Sequence, residues 1–207
     1  MTISSSIFEG NQAQNGGAIY FNKIETNENR KNSSISIVDT IFRNNVAKYF
    51  GGAMYSDFEG LNGAHINNVN FTSNKAYSGG AVYTSYNKNK TLFDVFNKNI
   101  NYTNNFSESH GNDYASDPYM IYLKDDDNKN ITLKSGNIFP LEFNITDQFD
   151  QYVNDISKYY PNIGINVNID NINSNCSIFR NTCYFSKGIN FYSYLNIIII
   201  YIKKNNT

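Results

Sequence analysis

Few side chains in this sequence could do chemistry, and they are scattered. Its two histidines are His65 and His110, and its two cysteines are Cys176 and Cys183. A cysteine nucleophile needs a histidine to draw off its proton, yet both histidines lie well upstream of both thiols. Two thiols without a neighbouring histidine also fall short of the four ligands of a structural zinc site. The six-residue gap between them fits a hairpin disulfide formed in an oxidising compartment; a pair of free thiols is the other reading. Cleaving a glycosidic bond requires paired carboxylates, or Asp clusters that hold Ca²⁺ beside a base. Asp39, Asp57, Glu59 and Asp94 do not recur at equivalent places. Asp125-Asp126-Asp127 is the one dense cluster, and reads as a hydrated turn or as a metal site. No phosphate loop, nucleophile elbow or metal-ligand spacing is present, so no cofactor is expected.

The elements that carry these residues come from a repeat. An aromatic residue, two variable residues and Asn recur, each followed by Gly-Gly-Ala-aliphatic-Tyr or a worn copy of it. The copies are Phe8 to Asn11 with Gly16-Gly17-Ala18-Ile19-Tyr20, Phe42 to Asn45 with Gly51-Gly52-Ala53-Met54-Tyr55, and Phe71 to Asn74 with Gly79-Gly80-Ala81-Val82-Tyr83. The last runs Tyr102 to Asn105 with His110-Gly111-Asn112-Asp113-Tyr114. A period near 30 residues means stacked units that bury their apolar faces only against one another. Ahead of the aromatic, Ile35, Ile37 and Ile41 alternate with polar residues as a half-buried strand does. No stretch holds a 3.6-residue period, so long helices are not expected.

Winding such strands into coils sets equivalent residues of successive turns about 4.8 Å apart. Asn11, Asn45, Asn74 and Asn105 then form a ladder, because an amide carries donors and acceptors for the residues above and below. Phe8, Phe42, Phe71 and Tyr102 stack inside. Gly16, Gly17, Gly51, Gly52, Gly79, Gly80 and Gly111 suit a tight corner that demands positive φ or close backbone approach. In the fourth copy His110 and Asn112 stand where Gly and Ala stood, and polar residues there suit the cap that an exposed stack end needs. His110 reads either as a solvated loop residue or as a ligand or general base. A β-propeller or an open antiparallel array is the rival architecture.

The pairing of aromatic-x-x-Asn with Gly-Gly-Ala-aliphatic resembles the repeat of the polymorphic outer membrane proteins and related microbial surface proteins. The resemblance covers residues 1–117. It implies an all-β fold, a right-handed parallel β-helix of the pectin-lyase-like type with about four coils. It also implies adhesion or display at a cell surface.

After Pro118 the period stops. Short alternating strands, among them Tyr119–Leu123, Ile131–Gly136 and Ile163–Asp170, suggest a small antiparallel sandwich with a loose likeness to immunoglobulin-like modules over 118–188. A sheet extension on the end of the stack is the simpler alternative. Residues 189–207 read as a low-complexity tail. Its run Ile197 to Ile202 is too short to span a membrane as a helix and reads as a strand or as an artefact of the gene boundary.

Composition narrows function further. In 207 residues, 17 basic side chains face 18 acidic ones, a balance that gives no field for nucleic acid or acidic lipid. Asn occurs 37 times. Such enrichment accompanies disorder in prion-like tracts, but 40% hydrophobic content in regular spacing and three Pro indicate a folded chain. Nine Asn-x-Ser/Thr sequons, among them Asn32, Asn70, Asn89 and Asn130, weakly favour secretion. The sequence opens without a basic and apolar leader, inside a coil, and reads as part of a longer protein. The expectation is a non-catalytic scaffold, outside the cell or on its surface, contacting a glycan or protein through loops that include Tyr83 and Tyr86. A carbohydrate-active β-helix enzyme, or its substrate-binding remnant, is the alternative, and a passive stalk the third reading.

Overall fold

The structure is a computed structural model. It describes residues 1–22, 35–57, 61, 64–85, 99–123, 138–141, 143–157, 159–160, 164–166, 176–179, 182–184 and 195–201. Every regular element among them is a strand, and the first half is wound into four coils. The first coil holds β1 (Thr2–Ser4), β2 (Ile7–Glu9), β3 (Gln12–Asn15) and β4 (Ile19–Phe21). The second holds β5 (Ser36–Arg43), β6 (Val46–Phe50) and β7 (Met54–Ser56), and the third β8 (His65–Thr72), β9 (Lys75–Ala76) and β10 (Val82–Thr84). The fourth holds β11 (Ile100–Thr103), β12 (Phe106–Ser107) and β13 (Tyr114–Ser116).

Strands of successive coils pair in parallel and in register. They make three sheets: β1 and β2 on β5, then β8 and β11; β3-β6-β9-β12; and β4-β7-β10-β13. This is a parallel β-helix, and the parallel ladders set aside the propeller and the open antiparallel array.

Three left-handed positions bend the coils: the first lies within the first sheet, and the second and third turn the chain from sheet to sheet. The first is Ser5, Asp39 or Asn68; the second Gly10, Asn44, Ser73 or Asn104; the third Gly16, Gly51, Gly79 or Gly111. All have φ between 48° and 67°, a region that Gly enters freely and Asn and Asp tolerate. The first corner explains why β5 alternates imperfectly. Ile37 points inward, Asp39 takes the bend, and Thr40 and Phe42 resume the inward side, all three inward residues fully buried. In the first coil the same bend separates β1 from β2. Between the sheets lies a core of Ile37, Phe42, Met54, Val69, Phe71 and Val82 with their neighbours.

The fourth repeat sits one residue out of the alignment read from sequence. Val82 pairs with Tyr114, and Tyr83 with Ala115. Gly111 therefore matches Gly79, the first glycine of its pair, and both are left-handed. His110 occupies the column of Ser78 rather than of a glycine, as the bonds from Gly79 N to His110 O and from Gly80 N to Gly111 O show.

Beyond the coils are β14 (Pro118–Leu123), β15 (Ile138–Leu141), β16 (Phe143–Asp147), β17 (Gly164–Asn166), β18 (Cys176–Phe179), β19 (Thr182–Tyr184) and β20 (Leu195–Tyr201). The chain divides into two compact units: Met1–Met120 with Thr146–Val153, and Ile121–Ile145 with Asn154–Thr207. In the second unit β20 lies between β15 and β18 and pairs antiparallel with both, while β17 pairs antiparallel with β19. Cys176 and Cys183 thus stand on strands that pair with other strands and not with each other, and the hairpin expected from their spacing does not form. The apolar run near the C-terminus is an interior strand of its sheet. The Ile131–Gly136 segment and the Asp125-Asp126-Asp127 cluster lie outside the described residues.

Candidate functional site

Inside the stack the asparagines form a continuous ladder. Asn45 Oδ1 accepts from the backbone N and the Nδ2 of Asn11 at 3.1 and 2.9 Å. Asn74 Oδ1 accepts the same two groups of Asn45, both at 3.0 Å, and Asn105 Oδ1 those of Asn74 at 3.0 and 3.1 Å. The second amide proton of each turns back to the aromatic residue one coil earlier: Asn45 to Phe8 O, Asn74 to Phe42 O, Asn105 to Phe71 O. Both donors and the acceptor are thereby used, which a buried amide requires. Beside the ladder Phe8, Phe42, Phe71 and Tyr102 stack ring on ring at 4.9, 5.1 and 5.4 Å. Offset stacking of this kind contributes beyond the area buried.

The paired glycines divide their work. A Cβ on Gly51 would lie 2.0 Å from Met54 O in its own turn, whereas one on Gly52 would lie 2.0 Å from Gly80 O in the next coil. Gly16 and Gly79 behave as Gly51 does, and Gly17 and Gly80 as Gly52 does. The first glycine makes the corner; the second lets the coils close up.

Outside that corner lies a second, smaller packed region. Tyr20, Tyr55 and Tyr83 share a column, with Phe50 stacked on Tyr83 at 4.4 Å and on Tyr55 at 6.1 Å. Tyr20 is exposed but Tyr83 is fully buried, its hydroxyl donating to Asp117 Oδ1 at 2.6 Å. Tyr83 is therefore no surface contact, contrary to expectation. The strand alternation points it outward, but Phe50, one column over, covers it. His110 is not a solvated loop residue either. It is 4% exposed, its Nε2 lies 2.9 Å from Ser116 O, and its Nδ1 faces the hydroxyls of Ser109 at 2.9 Å and Ser78 at 3.3 Å. A ring fits there because Ala115 replaces the tyrosine of the other coils. With both nitrogens engaged inside the fold, His110 closes the end of the column.

The fourth coil is terminated by side chains that imitate a fifth. Asp113 Oδ1 accepts the Asn105 amide at 3.0 Å, where another Asn would stand. Asn112 Oδ1 accepts Ser107 N of β12 at 3.0 Å. On β13, Asp147 Oδ2 accepts Ser116 N at 3.0 Å and Gln151 Nε2 donates to Tyr114 O at 2.9 Å. Asp147 Oδ1 also accepts the N–H groups of Phe149 and Gln151. Burial pushes the Asp147 carboxyl above its usual range, against those backbone bonds and the nearby His110. Burial likewise raises Asp117, against the Tyr83 bond and His110. Sequence reasoning missed Asp113, Asp147 and Gln151. The signal for the last two was Asp147 followed by Asp150-Gln151, the spacing of a side-chain-closed turn.

Of the other described acids, Asp39 holds Asn68, Asp57 holds the Tyr20 hydroxyl, Glu9 and Glu108 pair with Arg43 and Lys75, and buried Asp155 accepts from Tyr159 N and Tyr160 N. Among the described residues no group of three His, Cys, Asp or Glu is placed to hold a metal ion, and no helix is long and apolar enough to cross a membrane. Of the sequons, Asn70 is half-buried with its Oδ1 accepting from Asn101 Nδ2, and Asn105 is enclosed in the ladder. Asn32, Asn89, Asn130 and Tyr86 lie outside the described residues. The outward columns are open. One runs Ile7, Ile41, Asn70, Asn101; another Glu9, Arg43, Thr72, Thr103; a third Gln12, Val46, Lys75, Phe106. Phe106 is 50% exposed, with Lys75 Nζ over its ring at 5.5 Å.

Comparison with known proteins agrees with this geometry. The Chlamydia polymorphic membrane protein repeat matches residues 5–22 and 68–85, the first and third copies of the motif. Those two segments are repeats of that type. The protein named probable autotransporter YfaL, from Escherichia coli (strain K12), is 36% identical over 92 residues, which are 42% of this chain and 7% of that relative. The chain thus aligns with only a small part of the curated relative it matches. No solved structure matches.

Proposed function

We propose that the chain is a non-catalytic segment of a surface-displayed, passenger-like β-helix, whose outward faces contact a glycan or a protein. The observation that carries this reading is the division of labour among columns. The Asn ladder and the aromatic column are committed to holding the stack, whereas the outward columns of the first two sheets change type along the stack and are free to serve recognition. The repeat type and the likeness to a probable autotransporter support a place outside the cell or at its surface. The second sheet offers the most promising face, since Val46 and Phe106 are exposed on either side of Lys75, and aromatic side chains are favoured in contact surfaces.

The test is binding of the purified chain to a glycan array and to immobilised cell-surface protein. It is repeated with Val46→Ser and Phe106→Ser together, with circular dichroism as the control for folding. Binding that falls with the double substitution supports the reading; no binding in either format, or binding indifferent to it, overturns it. Carbohydrate cleavage is the second reading, favoured by one observation: Asp117 and Asp147, both raised by burial, gather near His110. Release of reducing ends from a polysaccharide, lost in Asp117→Asn, would establish it.

A further inference from the structure

The end of the fourth coil is a strand edge closed without a strand. Main-chain groups of β13 that point away from β10 meet side chains instead: Ser116 N meets Asp147, Ser116 O meets His110, and Tyr114 O meets Gln151. Gln148 N adds a bond to Ser116 Oγ at 3.0 Å, and Phe149 sets its ring edge-on to Tyr114 at 4.9 Å. Apart from His110, these residues come from Thr146–Val153, which joins the first unit although the chain on either side of it belongs to the second. An unpaired edge is a template for association with another chain, and proteins cover such edges.

We propose that Thr146–Val153 is a displaceable plug over an association edge, and that the partner it excludes is a second copy of this chain, paired antiparallel through β13. The geometry points to a second copy because the edge is self-complementary. About a two-fold axis through Ala115, Tyr114 lies opposite Ser116 of the second copy. In that register Ser116 N–H donates to Tyr114 C=O of the other chain, and the reverse bond forms as well. Those are the two atoms that Asp147 and Gln151 cover. Such a contact uses the same surface on both partners and closes at two. Asp147 bears a desolvation cost in its present place, so the plug is held less firmly than its bonds alone imply.

The experiment uses the full 207-residue chain carrying Asp147→Ala and Gln151→Ala together. Sedimentation velocity over a concentration series reads self-association, and hydrogen exchange at the Ser116 amide reads release of the plug. The released chain is expected to dimerise at least about tenfold more tightly than the unaltered one, the factor that one uncovered hydrogen bond supplies. Adding Ser116→Pro, which removes the outward donor but no bond to β10, should return it to the monomer. Fast exchange at Ser116 with no gain in association overturns the proposal, and so does a dimer that survives Ser116→Pro. If the double variant does not fold, Asp147→Ser, which withdraws the carboxylate from Ser116 N but keeps a turn-forming hydroxyl at that place, is read by the same two outcomes.

Discussion

Replacing Asn74 by alanine should cost far more than the same change at Asn11, although the two hold equivalent places in the repeat. The Asn74 side chain takes part in four hydrogen bonds: it accepts from Asn45 N and Nδ2 and donates to Phe42 O and Asn105 Oδ1. All lie where water does not reach, since Asn45 and Asn74 are 0% exposed. At about 1 kcal/mol net for each bond, the loss is about 4 kcal/mol, and alanine leaves the Asn45 N–H buried without an acceptor. That is a large part of the roughly 5–15 kcal/mol that holds a domain together. Asn11 is exposed and its side chain only donates, to Asn45 Oδ1, while its backbone N keeps its own bond to that oxygen. Asn11→Ala should therefore cost about 1 kcal/mol or less. Guanidinium unfolding of both variants measures the difference directly. Equal losses, or an Asn74→Ala loss near 1 kcal/mol, would refute the ladder as the chief polar tie between coils.

Two further perturbations separate other causes. Gly52→Ala puts a Cβ 2.0 Å from Gly80 O and 2.7 Å from Lys75 N and O. These are backbone atoms that cannot step aside, so a loss of at least about 4 kcal/mol is expected in the same unfolding assay. Gly10→Ala meets nothing within 4 Å and bears only its φ of +67°, which costs about 1–2 kcal/mol. The pH dependence follows from Asp147, whose carboxyl burial raises. The folded chain then holds this proton more tightly than the unfolded chain does. The stabilisation is full below the unfolded value of 3.8 and is lost as pH rises through the higher folded value. Thermal unfolding followed from pH 7 downward should show this contribution growing, and Asp147→Asn should remove it. A wild-type curve that parallels the variant throughout counts against the assignment.

The stack was legible in the sequence because its constraints repeat. An aromatic, an Asn and two glycines returning at near-constant spacing specify an inward column, a ladder and a corner, and the structure has all three. The first two corners were not recognised. Their left-handed positions are filled by Ser, Asp, Asn and one Gly, types abundant elsewhere in the chain, so the pattern lacks contrast. The fourth copy was read one residue out of register because His110-Gly111 kept only one glycine, and sequence alone does not say which of the two it is. Tyr83 misled for a different reason. Alternation decides which side of a sheet a residue faces, and says nothing about whether that side is open. Phe50 and Asp117 cover it, and both come from other coils. The plug at Thr146–Val153 was illegible because its role depends on a return from the second unit, a contact that no local pattern encodes.

The four coils also serve as an internal comparison that bears on the kind of ligand. Two of the columns that hold the stack keep their type: Phe, Phe, Phe, Tyr in one and Asn throughout in the other. Outward columns do not. Ile, Ile, Asn, Asn and Glu, Arg, Thr, Thr succeed one another on the first sheet, and Gln, Val, Lys, Phe on the second. Had the rod evolved to lie along a regular polymer, the chemistry of each coil would have to match a ligand unit at the spacing of the coils, about 4.8 Å, and the outward columns would repeat as the inward ones do. None of these three columns holds one residue type through all four coils. On the recognition role proposed above, a surface without a period would suit a partner without one, a discrete epitope on a protein or a short glycan, held by a few side chains around an exposed aromatic such as Phe106. Binding that grew steadily with the length of a uniform polysaccharide would count against this, since a patchy surface saturates once its few contacts are filled.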